Sequence, residues 1–518
     1  MGKVRSQAVF KPYNQQQVLM LPPQLDELIP THHLVRVVNS VVEQMDLSDL
    51  INQYEGGGTS SYHPRMMVKV LLYGYAMKIY TGRRLAKALQ QDVTFMWLAA
   101  YNRPDFRTLN LFRSGILKET IEELFTQLLG FLVEHGYVKV ENYFTDGTTF
   151  SADANKHKIV WRKNSERYKR LAEEKCQALF KEIDALNALE EQQYGEQDLE
   201  EMGGQQINKQ AVAEQVDKLN QVIHHTKDKR TARKAESLKK KVAQQQEKID
   251  RYDQQLSISG QRNGYSKTDT DATAMFMKNE ELLPAYNVVA SSENQFITAV
   301  SVHQNSNDAT CFKEHLEQLP FKPATITADS IFGTEQNYEL LEGYDIEGYL
   351  KFPTFHREQT RSFKTNPFLR ENFTYDETQD AFICADNRKL PYRYTRTITH
   401  KKTGYRSTVK IYESEDCSGC PLAEQCTKSK EPTRTLQVNP QLDHFKHEAR
   451  FKLNSEKGIA LRRARGADIE STFADIKHNQ GFRRFHVRGK QKVRIEMNLV
   501  SMAHNLRKLH LATFKPAA

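Results

Sequence analysis

Residues 138–155 read VKVENYFTDGTTFSADAN, where β-branched and aromatic residues alternate with polar ones before a cluster of turn formers, so one or two strands are predicted. In the run YFTDGTTF, Asp146 is followed by Gly147. Two readings stand. A carboxylate at the end of a strand is well placed to hold a hard metal ion, because oxygen ligands suit Mg²⁺ and rigid strands fix their geometry. Asp-Gly is equally a hairpin-turn signal. The arrangement recurs 183 positions later, where ATITADSIFG places Asp329 at the exit of a second apolar strand, with a turn or helix cap as the plainer role. Acids at strand exits of one α/β sheet lie where such sheets place their sites.

Working outward, residues 256–351 continue the alternation. AYNVVASSENQFITAVSVHQN predicts strands, CFKEHLEQL a helix and PATITADSIFG another strand. Between the two parts of this core, residues 162–255 turn rich in Lys, Glu and Gln, with spaced apolar positions Leu186, Leu189, Val216, Leu219, Val222, Ile223 and Leu238. That pattern predicts a charged helical insertion, a hairpin of long helices broken near GEQDLEEMGG. It reads as a dimerisation element or solvated spacer ahead of a DNA-backbone clamp, because its charges are mixed. Residues 352–442 form a second interruption, polar and β-rich, with short runs such as YRYTRTIT and STVKIYE. From 443 to 518 the pattern is helical again. There ADIESTFADIKHN carries Glu470 beside an apolar stripe of Ile469, Phe473 and Ile476. Lys477 follows Glu470 by two α-helical turns, on a neighbouring face. An exposed helical Glu is by default a solvated surface residue.

Upstream, residues 1–135 read as all-helical, with PRMMVKVLLYGYAMKIY and RRLAKALQQDVTFMWLAAY separated by a turn, and a third helix running from Pro104-Asp105 to Gly136. Arg103, Arg107 and Arg113 on that third segment suit a helix-turn-helix reader of DNA, with a packing domain as the alternative. No signal-peptide core and no run of membrane-spanning length occurs, so a cytoplasmic chain with no membrane partner is expected.

Charge is placed unevenly. The chain carries a formal +9, yet between Phe451 and Ala518 fifteen Lys and Arg stand against five acids, so that stretch alone is net +10. Clustered positive charge attracts a polyanion, and nucleic acid is the commonest. Six cysteines occur. Four of them, Cys384, Cys417, Cys420 and Cys426, fall in the β-rich stretch with the Cys-x2-Cys spacing of zinc ligands, against free thiols as the alternative. Cys176 and Cys311 look isolated, and His303, near Asn305 and Asp308, reads as an exposed loop histidine, against a place bordering the acids as the alternative.

The blocks YFTDGTTFSADANKHKIVWRK, SKTDTDATAMFMK, ENQFITAVSVHQNSND, ADSIFGTEQNYELLEG, IESTFADIKHNQGFRRFHVRG and MAHNLRKL, with FKPYNQQQVLMLPPQLDELIP and YHPRMMVKVLLYGY before them, resemble successive segments of DDE transposases from bacterial insertion sequences. The likeness is to the group numbered eleven eighty-two, within the insertion-sequence four/five-like superfamily. It implies a ribonuclease H-like core in which Asp146, Asp329 and Glu470 match the three metal-binding acids, holding two Mg²⁺ ions, or Mn²⁺. It also implies double-stranded DNA as partner, both terminal inverted repeats and target, and a homodimer that brings two ends together in the nucleoid. In the wider superfamily the third acid sits in a Tyr, Arg, Glu, Lys signature. Glu470 and Lys477 keep its spacing, whereas Arg465 stands five residues before Glu470 where the pattern has four, with Gly466 in that slot. Lys477, Arg465, Arg483, Arg484, Arg488 and Lys490, with Arg103 and Arg107, are the expected phosphate and DNA contacts. Three function classes follow: a transposase that cleaves 3′ ends and transfers strands, a metal-dependent endonuclease without strand transfer, and a non-catalytic DNA-binding regulator.

Overall fold

The computed structural model describes residues 24–54, 61–194, 209–226, 228–277, 280–427 and 433–514. The chain divides into two compact units, residues 1–117 with 506–518, and residues 118–505. Among the described residues no helix is long and apolar enough to cross a membrane.

The first unit is helical. Its helices Leu34–Gln44, Pro64–Ala76, Gly82–Gln91, Val93–Leu98 and Phe106–Ser114 start on side-chain caps where the sequence allows: His33 accepts from Val35, Asp92 from Thr94 and Asp105 from Thr108. The long third helix expected from Pro104 to Gly136 is instead broken at Gly115 into Phe106–Ser114, a 3₁₀ turn Ile116–Lys118 and Ile121–Glu134. Arg113 is also not a DNA-facing residue. It is buried, and its guanidinium donates to the Tyr75 hydroxyl, the Tyr80 carbonyl and Asn110.

The second unit is mixed α/β. Its large sheet contains β1 (Asn142–Ser151), β2 (Ile159–Trp161), β3 (Gly264–Ser266), β4 (Thr273–Phe276), β5 (Leu282–Glu293), β6 (Phe296–His303), β7 (Thr325–Ala328) and β8 (Glu347–Leu350). At its centre the order is β6-β5-β1-β7-β8, with β6, β5 and β1 antiparallel in turn and β7 and β8 parallel to β1. β5 and β6 are buried almost throughout, and their link Asn294-Gln295 has positive φ at both residues, the two-residue hairpin turn that matches strand twist.

Between β2 and β3 run the helices Arg162–Tyr194, Lys209–His225 and Lys229–Ser259. They bury a core of their own: Ala172, Cys176, Phe180, Ile183 and Leu186 recur at three- and four-residue steps against Leu219, Leu238, Val242 and Ile249. Each large apolar side chain so buried contributes roughly 1.5–3 kcal/mol, which explains how so polar a sequence stays helical. The side chains of Leu189 and Val222, and the break expected near GEQDLEEMGG, lie outside the described residues.

After β8 comes a five-stranded antiparallel sheet in the order β13-β12-β11-β10-β9, formed by β9 (Thr374–Asp376), β10 (Ala381–Ile383), β11 (Lys389–Thr399), β12 (Arg406–Glu413) and β13 (Thr435–Val438). Its core is small, with Phe373, Leu390, Tyr412 and Leu436 buried together. Helices Pro440–Asn454 and Glu456–Arg465 follow, and the latter continues through two π-helical turns, Gly466–Glu470 and Asp475–Asn479. The last helix, Lys490–Thr513, is buried on nearly all sides between Val493 and Asn505. The basic character of the C-terminal stretch is therefore presented largely by the segment before that helix.

Candidate active site

β1 runs unbroken through Asp146 and Gly147, so the Asp-Gly pair is not a hairpin turn. Parallel pairing of β1 with β7 covers Asn142 to Thr145, the last pair being Thr145 with Ala328. Asp146 and Asp329 are therefore the next residue on each of two neighbouring strands, where the parallel ladder ends. Glu470 reaches the same place from the π-turn that continues the helix Glu456–Arg465, and Arg465 joins all three. Its Nη2 lies 2.7 Å from Glu470 Oε1 and 3.8 Å from Asp329 Oδ2, and its Nη1 lies 3.6 Å from Asp146 Oδ2.

The one-residue mismatch in the Arg-to-Glu spacing has a structural cause. In an α-helix residues four apart stack, whereas a π-turn closes between residues five apart. The segment Gly466–Glu470 is such a turn, so Arg465 and Glu470 meet in spite of the extra residue. Asp468 anchors the turn. Buried, it accepts from the Ser292 hydroxyl at 2.6 Å and the Gln295 backbone at 3.0 Å, while Gln295 donates to the Ala467 carbonyl. The β5–β6 hairpin thus holds the helix that presents Glu470.

Electrostatics follow burial. The Arg465 side chain is only 8 % exposed, against 24 % for Asp146, 39 % for Asp329 and 52 % for Glu470. Burial raises the Asp146 carboxyl to about 6; Arg465 and the Gly147 backbone N–H oppose this, and Asp308 and Asp329 add to it. Arg465 Nη1 is buried with no hydrogen-bond partner. Lys351 adds a second cation, 3.8 Å from Asp329.

Asp308 is a fourth acid here. It heads the helix Asp308–Glu317, accepts from Asn287 at 2.5 Å, and is held above the usual carboxylate range by burial. A Cβ on Gly147 would lie 2.3–2.5 Å from the Asp308 carboxylate, so only glycine admits this approach. Glu293 fixes the start of β1: its carboxylate accepts from four successive backbone N–H groups, those of Lys139, Val140, Glu141 and Asn142, at 2.7–3.0 Å. Sequence reasoning missed Glu293, Asp468 and Lys351, and named Asp308 only in passing. Each acts through a contact distant along the chain, with no local pattern to betray it.

Lys477 is placed otherwise than α-helical counting suggests. From within the second π-turn its Nζ donates to Thr148 Oγ1 at 2.5 Å and the Thr149 carbonyl at 2.8 Å, over the Phe150 ring. The basic run is pinned to the end of the same strand, since the Ser151 N–H donates to the Arg483 carbonyl and the Phe485 N–H to the Ser151 carbonyl, a parallel bridge centred on Arg484. Arg484 and Arg488 share Asp153, Arg483 bonds the Lys477 carbonyl and His478, and Lys490 pairs with Glu314. From Asp146 to Ser151 is roughly 16 Å of extended strand. His303 is not an exposed loop residue: it ends β6, is buried, and bonds Ser301 and Glu314. Arg103 and Arg107 belong to the first unit, where both are exposed and Arg107 lies over the Phe106 ring.

Three converging carboxylates are hard oxygen donors of the kind Mg²⁺ and Mn²⁺ take. A buried guanidinium with an orphaned nitrogen in their midst marks where positive charge is wanted. Among the described residues, no group of three or more His, Cys, Asp or Glu is already drawn together tightly enough to hold an ion, and here Arg465 stands among the acids.

Two family models match the chain. One is described as a Transposase domain (DUF772) and covers residues 23–115; the other is a Transposase DDE domain and covers residues 383–510. The second includes Glu470 and Lys477, while Asp146 and Asp329 precede it. No curated protein and no solved structure matches. Together the two matches indicate a transposase. The DDE match makes the indication more particular: a DDE-type transposase of an insertion sequence.

Proposed function

We propose that this transposase, of the group numbered eleven eighty-two, binds the terminal inverted repeats of its element and performs metal-dependent 3′-end cleavage and strand transfer on a ribonuclease H-like core. The observation that carries the reading is the meeting of Asp146, Asp329 and Glu470, from a strand, a strand exit and a distant helix, around Arg465. The five-strand order at the centre of the large sheet supports the same core.

Asp146, Asp329 and Glu470 would hold the divalent ions. The chemistry such a pair supplies when bound is activation of an attacking oxygen and stabilisation of a leaving one in an in-line phosphodiester displacement. Arg465 neutralises the acids in the free protein and, once displaced from them, is within reach of a backbone phosphate. A guanidinium suits that exchange, because its fork matches carboxylate and phosphate alike. Lys477 holds β1 in place beside Asp146. Arg483, Arg484, Arg488 and Lys490 take up the DNA backbone along the strand's far end, and Arg103 and Arg107 contribute to end binding from the first unit. Water attacks first, and the freed 3′ hydroxyl then attacks target DNA, so no covalent protein intermediate is needed. Joining two ends calls for at least a homodimer, acting in the cytoplasm at the nucleoid.

The test is Mg²⁺-dependent cleavage of DNA carrying the element's own ends by the intact protein and by Asp146→Ala, Asp329→Ala and Glu470→Ala. Cleavage at the ends, lost in all three variants while DNA binding persists, supports the reading. Activity surviving any substitution removes that residue from the site. Cleavage without strand transfer would favour a plain endonuclease, and DNA binding without cleavage a regulator.

A further inference from the structure

The small sheet formed by β9 to β13 has few buried apolar side chains, and most of its long β11 is exposed. A segment with so little core usually needs a covalent or metal staple. Four free cysteines gather there. Cys384 opens a tight turn in which its carbonyl accepts from Asn387 and its N–H donates to Arg388. Cys417 and Cys420 flank a second turn, with Gly419 at φ +67° and the Cys420 N–H on the Cys417 carbonyl. Cys426 ends the short helix Ala423–Cys426. The Arg388 guanidinium ties the first turn to the second through the carbonyls of Asp416 and Ser418.

All four cysteines line one cavity of about 20 Å³, and Cys426 is within electrostatic reach of the other three. A void needs ~10–15 Å³ to admit a single water, so this one admits an atom-sized guest and little more. Cys176 and Cys311, by contrast, are buried singly in helices elsewhere. We infer that Cys384, Cys417, Cys420 and Cys426 form a tetrathiolate site for one structural zinc ion. Two ligands from one turn, one from a second turn and one from a helix end give the closed four-sulfur set of structural zinc. The four cysteines lie around the cavity, and their thiols are not yet gathered at bonding distance. Binding therefore contracts the cavity, with loss of the thiol protons, to Zn–S distances of about 2.3 Å. Arg388 and Arg434, which also line it, offset the charge of four thiolates on one dication. This inference is independent of the catalytic reading: it concerns other residues and another metal.

The full-length chain, purified with a reductant and without chelator, is assayed for metal and then titrated with a mercurial while released zinc is read with a colorimetric indicator. About one zinc per chain, released as thiols are consumed, is expected. Cys384→Ser and Cys426→Ser should lose at least tenfold in zinc affinity, whereas Cys176→Ser and Cys311→Ser should retain it. Because a serine variant can fail to fold, the unaltered chain is also exchanged with Co²⁺, whose absorption reports its ligands directly. Tetrahedral bands with strong thiolate-to-cobalt charge transfer are expected. A chain without zinc whose Co²⁺ spectrum is six-coordinate, full retention of the tetrathiolate spectrum by Cys384→Ser, or a disulfide among these four cysteines would each overturn the inference.

Discussion

Arg465 Nη2 lies 2.7 Å from Glu470 Oε1 across one π-turn, so a guanidinium occupies the space to which three carboxylates from distant parts of the chain converge. The contact makes the free site electrically tolerable. If the acids hold a divalent cation as proposed, Arg465 competes with it for the same oxygens.

That competition is measurable. Arg465→Ala should lower thermal stability in EDTA by about 1–3 kcal/mol, because the acids lose their buried counter-charge. It should also bind Mn²⁺ more tightly than the parent in the absence of DNA, while losing DNA-end cleavage. Calorimetric Mn²⁺ titration and melting with and without Mg²⁺ check this. Unchanged metal affinity would show that the guanidinium does not contest the site.

Gly147→Ala should behave unlike Gly466→Ala. At Gly147 a Cβ runs into the Asp308 carboxylate, whereas at Gly466 the nearest atom is Glu470 Oε2 at 3.9 Å. The first substitution is expected to cost about 1–3 kcal/mol and most of the activity. The second should be neutral or slightly stabilising, as alanine is in helices. Denaturant unfolding and end cleavage, run on both variants, separate the two.

Glu293→Ala should be among the most damaging substitutions away from the site. Four partly buried backbone donors at the entry to β1 would lose their buried acceptor, at about 3–5 kcal/mol in urea unfolding. Glu293→Gln recovers only part of this, since half of an amide is itself a donor.

Asp153 holds Arg484 and Arg488 together, so Asp153→Asn should release both for phosphate contact. Tighter non-specific DNA binding with a steeper salt dependence is expected, while Arg484→Ala and Arg488→Ala should each reduce the slope of log K against log salt by about 0.9. Affinity measured across a salt series reads all three.

His315 sets a pH limit. It is fully buried between Ser291 and Ser301, and burial lowers its pKa from 6.5 to about 3. Above pH 6.5 the ring is neutral in both folded and unfolded chains and costs nothing. As pH falls below that, the unfolded chain takes up a proton that the folded one refuses, so stability is lost, by up to about 2 kcal/mol between pH 6.5 and 5. His315→Gln should flatten that part of the profile in urea unfolding followed against pH.

The strands around Asp146 and Asp329 and the helix of Glu470 were legible because alternation and the stripe Ile469, Phe473 and Ile476 are local, and all three stripe residues are buried. Their meeting was not legible from spacing, since it depends on sheet register. The place of Arg465 was obscured for a definite reason: counting by α-helical turns puts it one residue out of phase, and nothing in GADIE announces a π-turn. The same miscount put Lys477 beside Glu470, where the structure places it on β1. Arg113 looked like a surface cation because basic residues usually are, yet it is buried and donates to three internal acceptors. Glu293 and Asp468 are fixed by partners far along the chain and leave no periodic trace.

The central claim is that Asp146, Asp329 and Glu470 share one divalent-metal site. It is tested most directly by loading the intact protein with Fe²⁺ in place of Mg²⁺ and letting ascorbate and peroxide cut the backbone nearest the bound ion. The account predicts cuts in three segments, around residues 146, 329 and 470, that Mg²⁺ suppresses and each alanine variant abolishes together. Cuts confined to one of these segments, or falling elsewhere in the chain, would contradict it.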